Sequence, residues 1–168
     1  NIEEDRDEHI VVSLTSFPDR MSTIHLCLRS LLCQKVKPDK VILYLSKEQF
    51  EGKKIPEKVL KLEKYGLQIV FCDDLKPHKK YFYAMQEYPN DVIITVDDDV
   101  FYRSNLIRDL VTEHTRRKNE IICTRAHKMK FEGGQLLPYK SWDYETKDTQ
   151  NASYYLIATG VGGVLYPS

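Results

Sequence analysis

The feature that most restricts the fold is the run Asp91-Val92-Ile93-Ile94-Thr95-Val96-Asp97-Asp98-Asp99-Val100, a β-branched apolar stretch that ends in three consecutive carboxylates. Its apolar part is too short for a typical helix, so it reads as a strand covered on both faces. The carboxyl ends of such strands are where an open α/β sheet binds ligands. Successive side chains of an extended chain alternate, so Asp97 and Asp99 project together and Asp98 projects away. Two like charges roughly 4 Å apart repel by about 4 kcal/mol at an effective dielectric near 20, so the triplet favours a nearby cation or a raised pKa. All-oxygen donors suit a hard ion, Mg²⁺ or Mn²⁺, that keeps positions for water and phosphate oxygens. The competing reading is that the acids lead into the next helix, with Ser104 as its N-cap. One acid would satisfy that role, and three exceed it.

Strands read at residues 9–15, 40–46, 67–72 and 120–124 alternate with helices. One helix carries Ile24, Cys27, Leu28, Leu31 and Leu32 on a single stripe. A short one starts at Pro56 and is closed by Gly66, another starts near Lys79 and ends at Pro89-Asn90, and the last covers residues 104–118, with His114 read as surface. This rhythm predicts an α/β three-layer sandwich around a mainly parallel central sheet. The polar turn after the first strand, Thr15-Ser16-Phe17-Pro18-Asp19-Arg20, contains no glycine, which argues against a dinucleotide fingerprint or a P-loop. The third strand also ends in acids, Asp73-Asp74, so two strands deliver carboxylates to one sheet edge. Lys79 and Lys80 open a helix where the dipole disfavours cations, which fits either an anion to be met or a solvated pair. The rhythm breaks over residues 125–151, which hold Gly133-Gly134, Pro138, Tyr139, Trp142 and Tyr144 without a clear period. Those rings fit stacking on a sugar or covering a core edge. The final apolar segment is interrupted by Gly160-Val161-Gly162-Gly163, where backbone approaches a ligand or another segment closely.

A chain of 168 residues, 42% hydrophobic and of zero formal net charge, fits one domain and does not suggest nucleic acid as a partner. The four cysteines lie apart with no C-x-x-C pair, so free buried thiols are expected. No run approaches a membrane span, and the acidic opening at residues 1–8 is the opposite of a signal peptide, which makes a cytoplasmic domain the expectation. The missing initial Met and the stop just after a glycine-rich run predict a single domain over residues 1–168 that is truncated at its C-terminal end.

Taken together, residues 12–20, the segment 73–80, the strand ending in Asp97-Asp98-Asp99 and the run Gly160-Val161-Gly162-Gly163-Val164-Leu165-Tyr166-Pro167 resemble a bacterial GT-A-fold glycosyltransferase with its D-x-D motif. The resemblance spans nearly the whole chain. It implies a nucleotide-diphospho-sugar transferase fold and transfer of a sugar from a UDP- or GDP-sugar to a saccharide acceptor, in polysaccharide biosynthesis, at a site peripheral to the inner membrane. It implies that Thr15, Ser16 and Arg20 contact the nucleotide, that Asp73 or Asp74 holds base or ribose, and that Lys80, with Lys79 one register away, lies near the nucleotide. Asp97 and Asp99 would hold Mn²⁺ or Mg²⁺, Asp98 would sit beside ribose or donor sugar, and Gly162 and Gly163 would border the donor. The carboxylate base that inverting members carry after the glycine-rich segment has no counterpart, leaving Asp143, Glu145 and Asp148 as internal candidates, Asp143 first. The rival readings are a receiver-type phospho-acceptor domain, a sugar nucleotidyltransferase, and a sugar-nucleotide-binding module without turnover.

Overall fold

The computed structural model describes residues 8–149 and 151–168, so residues 1–7 of the acidic opening lie outside the described residues. Four apolar runs form parallel strands: β1 (Ile10–Thr15), β2 (Lys40–Ser46), β3 (Leu67–Cys72) and β4 (Val92–Thr95). Two later strands complete the sheet, β5 (Ile122–Cys123) and β10 (Val164–Tyr166), in the spatial order β3-β2-β1-β4-β10-β5. β10 runs antiparallel to both of its neighbours, so the sheet is mixed but mainly parallel.

The near-continuous apolar runs follow from burial on both faces. Ile10, Val12 and Leu14 of β1 enter one core and Val11 the other, while β2 splits the same way into Val41, Leu43 and Leu45 against Ile42 and Tyr44. The larger core is closed by α1 (Ile24–Leu32), α2 (Lys47–Phe50), α3 (Glu57–Leu60) and α5 (Leu106–Arg116), and the smaller by α4 (Lys79–Glu87). The expected three layers are therefore present. Pro56 precedes α3, and a following 3₁₀ turn ends on Gly66 at φ 102°, where a side chain would be strained.

Three local expectations are corrected. The N-cap of α5 is Asn105 rather than Ser104, and it makes no side-chain capping bond. His114 is buried at 1% exposure, because it continues the stripe of Ile107, Leu110 and Val111, and its Nε2 lies 3.2 Å from Glu8 Oε2. All four thiols are free, but only Cys27 and Cys72 are buried, and Cys33, at the end of α1, is exposed.

The aperiodic section is not one loop. β6 (Ala126–Lys128) pairs with β9 (Leu156–Ala158), and β7 (Phe131–Glu132) pairs with β8 (Gln135–Leu136). Gly133 and Gly134, both at positive φ, make the two-residue turn of that hairpin, a signal already present in the sequence. Among the described residues no helix is long and apolar enough to cross a membrane.

Candidate functional site

β1 has β2 on one side and β4 on the other, so the chain departs from it in opposite directions and leaves a crevice at their carboxyl ends. Just past the ends of β1 and β4, Ser16 Oγ donates to Asp98 Oδ2 at 2.5 Å. A cleft of about 390 Å³ opens there, walled by Thr15, Ser16 and Phe17, by Gln49, by Lys76, Pro77, Lys79 and Lys80, and by the three acids.

β4 ends at Thr95, and Asp98 and Asp99 lie in a turn, so strand alternation does not extend through the triplet. Each acid instead meets its own partner. Lys80 Nζ lies 2.6 Å from Asp97 Oδ1 and 3.3 Å from the Val96 carbonyl, and Arg20 Nη2 lies 3.1 Å from Asp99 Oδ2. The repulsion within the triplet is thus relieved by two cations and a hydroxyl from two other strand-to-helix turns. The Asp97 backbone is fixed from below: its N–H donates to Tyr102 Oη at 2.9 Å, and Cys27 Sγ donates to its carbonyl at 3.4 Å. Burial pushes the Cys27 thiol up to about 12, and the negative charge of Asp98, Asp99 and Asp97 adds to the rise.

Asp74 and Asp73 have different surroundings. Asp74 accepts Lys79 Nζ at 2.6 Å, Lys76 N at 2.9 Å, Lys76 Nζ at 3.1 Å and Gln49 Nε2 at 2.9 Å. The Lys79 hydrogen bond, opposed by burial and aided by Lys76, holds its carboxyl well below the usual carboxylate range. The same bonds keep Lys76 at φ 54°, a left-handed conformation rare for lysine. Asp73 is open, with its side chain 83% exposed and 3.3 Å from Lys47 Nζ. It borders a second cleft, of about 380 Å³, beside Tyr44, Phe71 and Tyr83. The two adjacent lysines therefore divide the work, Lys79 turning to Asp74 and Lys80 to Asp97.

Thr15 lines the cleft, but its hydroxyl donates to the Tyr44 carbonyl at 2.8 Å and so ties β1 to β2. Of the glycines, Gly160 touches the triplet: a Cβ there would stand 2.8 Å from Asp97 Oδ1. At Gly162 a Cβ would stand 2.0 Å from Thr124 Oγ1, and Gly163 packs over Leu106 and Leu110, so these two are close-approach positions between segments. Asp143 is exposed, its backbone is paired with Lys128 N and O at 2.9 and 3.0 Å, and it is not among the residues walling the cleft.

Sequence reasoning missed Gln49, Lys76 and Tyr102, and it placed Gly160 only within a glycine run. Gln49 sits on a helix of a single turn and Lys76 in a strand-to-helix connection, neither of which has a periodic signature, and Tyr102 is indistinguishable by pattern from any aromatic flanking a helix.

The donor set is chemically compatible with a hard divalent ion. Among the described residues no three His, Cys, Asp or Glu side chains converge into a closed metal cage. A magnesium-type ion on a phosphorylated ligand nonetheless needs only one or two carboxylates, the rest coming from phosphate and water. Asp97 and Asp99 each commit one carboxylate oxygen to a cation and keep the other for such use.

No family model and no curated protein matches the sequence. Solved structures match by shape. S. aureus TarS 1-349 is similar with a TM-score of 0.53 at 17% identity, over 77% of this chain and 38% of that one, and its complex with UDP-GlcNAc matches equally. A CMP:2-keto-3-deoxy-manno-octonic acid synthetase complexed with CTP is similar with a TM-score of 0.55 at 11% identity, over 96% of this chain and 74% of that one. The chain thus spans well under half of the TarS structure and shares a mainly parallel α/β fold with these proteins.

Proposed function

We propose that this chain is the nucleotide-sugar-binding part of a metal-assisted glycosyltransferase that takes a UDP- or GDP-sugar as donor and a saccharide as acceptor. The observation that carries the reading is the crevice between β1 and β4, where the three acids meet the cations Arg20 and Lys80, and Lys76 and Lys79 pair with Asp74, around a cleft large enough for a nucleotide. A leaving nucleoside diphosphate gains negative charge in the transition state, and preorganised cations are what stabilises it. A divalent ion held by Asp97 and Asp99 would supply further neutralisation of that charge. Arg20 and Lys80 approach from different turns and bind the diphosphate oxygens on exchanging their present carboxylate partners. Ser16 holds Asp98 toward the ribose or donor sugar, and Tyr102 keeps the turn in place.

Calorimetry with UDP and uridine, with Mn²⁺ and with chelator, tests this. Arg20→Ala removes a charge-assisted bond worth about 1.5 to 3 kcal/mol and should weaken UDP roughly ten- to a hundredfold while leaving uridine unchanged. Equal losses for both ligands, or UDP binding indifferent to Mn²⁺ and to Asp99→Asn, would refute the diphosphate assignment. A sugar nucleotidyltransferase is the second reading, supported by the likeness to the CTP-bound synthetase over 96% of the chain. The glycine-free turn at residues 15–20 speaks against it. Pyrophosphate release from CTP or UTP plus a sugar phosphate, in place of sugar transfer, would decide for it.

A further inference from the structure

The section between β5 and β10 is anchored at the cleft and carries a ring cluster of its own. β6 and β9 pair with His127 opposite Ile157, Thr159 N donates to the Arg125 carbonyl at 3.1 Å, and Gly160 follows directly against Asp97. Three extended residues, from Ile157 to Gly160, span at most about 10 Å, so the His127 row stands about one or two sugar rings from the triplet.

His127 is buried, and its Nδ1 accepts from Glu145 N at 2.9 Å. Its ring meets Tyr144 edge-on, with centroids 4.7 Å apart and planes at 90°. Tyr139 lies 5.2 Å from Tyr144 and 5.1 Å from Trp142, again edge-to-face. The polar atoms of the inner rings are occupied: Trp142 Nε1 donates to the Leu137 carbonyl at 2.8 Å, and Tyr144 Oη donates to the Tyr139 carbonyl at 3.1 Å. Rings that only covered a core edge would be buried. Tyr139 is 56% exposed and Tyr144 45%, although both are held by neighbouring rings and have little rotamer freedom left to lose.

Charge selects the kind of occupant. Residues 125–149 carry five basic and four acidic side chains, and Arg125 pairs with Glu145 and Lys128 with Asp148. A phosphate-bearing polymer would need a marked excess of positive charge, and five basic against four acidic side chains leave an excess of one. A neutral pyranoside presents an apolar CH face for a ring and hydroxyls for the flanking polar groups.

We propose that the exposed faces of Tyr139 and Tyr144 form a stacking platform for a neutral oligosaccharide acceptor, adjoining the acidic cleft through Gly160. The proposal rests on the glycosyltransferase reading and deepens it by naming the acceptor class. Trp142 is the only tryptophan in the sequence and touches Tyr139, so intrinsic tryptophan emission reports on this platform alone. The whole chain is titrated with chitotetraose, cellotetraose and maltotetraose, with UDP affinity measured in parallel by calorimetry. At least one of the three should change the emission saturably. Tyr139→Leu should weaken that oligosaccharide roughly two- to tenfold, Tyr139→Phe should restore it, and neither should alter UDP binding. No saturable change with any of the three, or equal binding by the Leu and Phe variants, would overturn the platform even with UDP binding intact. Loss of UDP binding in the unaltered chain would instead remove the donor reading, because the emission titration contains no nucleotide.

Discussion

Replacing Lys79 by Met keeps the aliphatic stem and removes one charge from a pair whose side chains are 3% and 7% exposed, with Nζ and Oδ1 2.6 Å apart. Breaking a buried pair from one side costs about 3 to 5 kcal/mol, because the remaining charge is stranded. Here Asp74 keeps Gln49 Nε2 and both donors of Lys76, so the expected loss lies nearer 2 to 3 kcal/mol. For a chain of this size each kcal/mol moves the melting midpoint by about 2 to 4 °C, which predicts a fall of roughly 5 to 10 °C at neutral pH in a calorimetric or circular-dichroism melt. The sign of the pH dependence follows from the depressed Asp74 pKa. A carboxyl whose native pKa lies below its unfolded value stabilises the fold fully above that unfolded value, about 4, and loses the contribution as pH falls through the native one. The gap between the unaltered protein and Lys79→Met should therefore narrow on acidification below about pH 4. Asp74→Asn combined with Lys79→Met removes both charges and should cost clearly less than Lys79→Met alone. A loss under about 1 kcal/mol, or a double variant no more stable than the single one, would refute the stranded-charge argument.

Three further outcomes are expected. Gly160→Ala places a Cβ 2.8 Å from Asp97 Oδ1 at a residue without positive φ, so it should fold and yet weaken Mn²⁺-dependent UDP binding severalfold; Gly162→Ala meets Thr124 Oγ1 at 2.0 Å with φ +97° and should mainly lose stability, by about 1 to 3 kcal/mol in a denaturant titration. In native protein Ellman's reagent should label Cys33 first, because it is exposed, and Cys27 only on unfolding, because burial pushes its thiol up to about 12; fast native labelling of Cys27 would contradict its placement under Asp97.

The layered sheet was legible because its signal is local and periodic: each parallel strand is a β-branched run, and each major helix has one apolar stripe. The carboxylate triplet was legible for the same reason, being the abrupt end of such a run. What pairs with it was less so. Arg20 and Lys80 were readable as cations near a strand end, but the assignment of Lys80 to Asp97 and of Lys79 to Asp74 depends on how α4 is rotated, which one residue of register reverses. Alternation of Asp97 and Asp99 requires an extended chain, and the strand ends at Thr95 with a turn at Asp98 and Asp99. His114 carries a polar side chain on an apolar stripe, and its place in the stripe outweighs its residue type. Gly160 was seen only as part of a glycine run, since nothing local shows which glycine meets which side chain.

The place of β10 between β4 and β5 has a consequence for how the molecule assembles. Among the described residues β5 has no other sheet partner, so it has nothing to pair with until residues 164–166 arrive, about 40 positions later in the chain. Closing a loop of that length costs roughly 3 kcal/mol of chain entropy before any contact repays it. β1 to β4 pair among themselves without it, and the segments that directly follow them supply all three acids and both facing cations. During synthesis the acidic crevice should therefore take shape early, with the Gly160 contact to Asp97 added after it. Ribosome-bound chains ending before residue 160 should expose Asp97 from that side, and hydrogen exchange should find β5 and β10 opening together, ahead of β1 and β2.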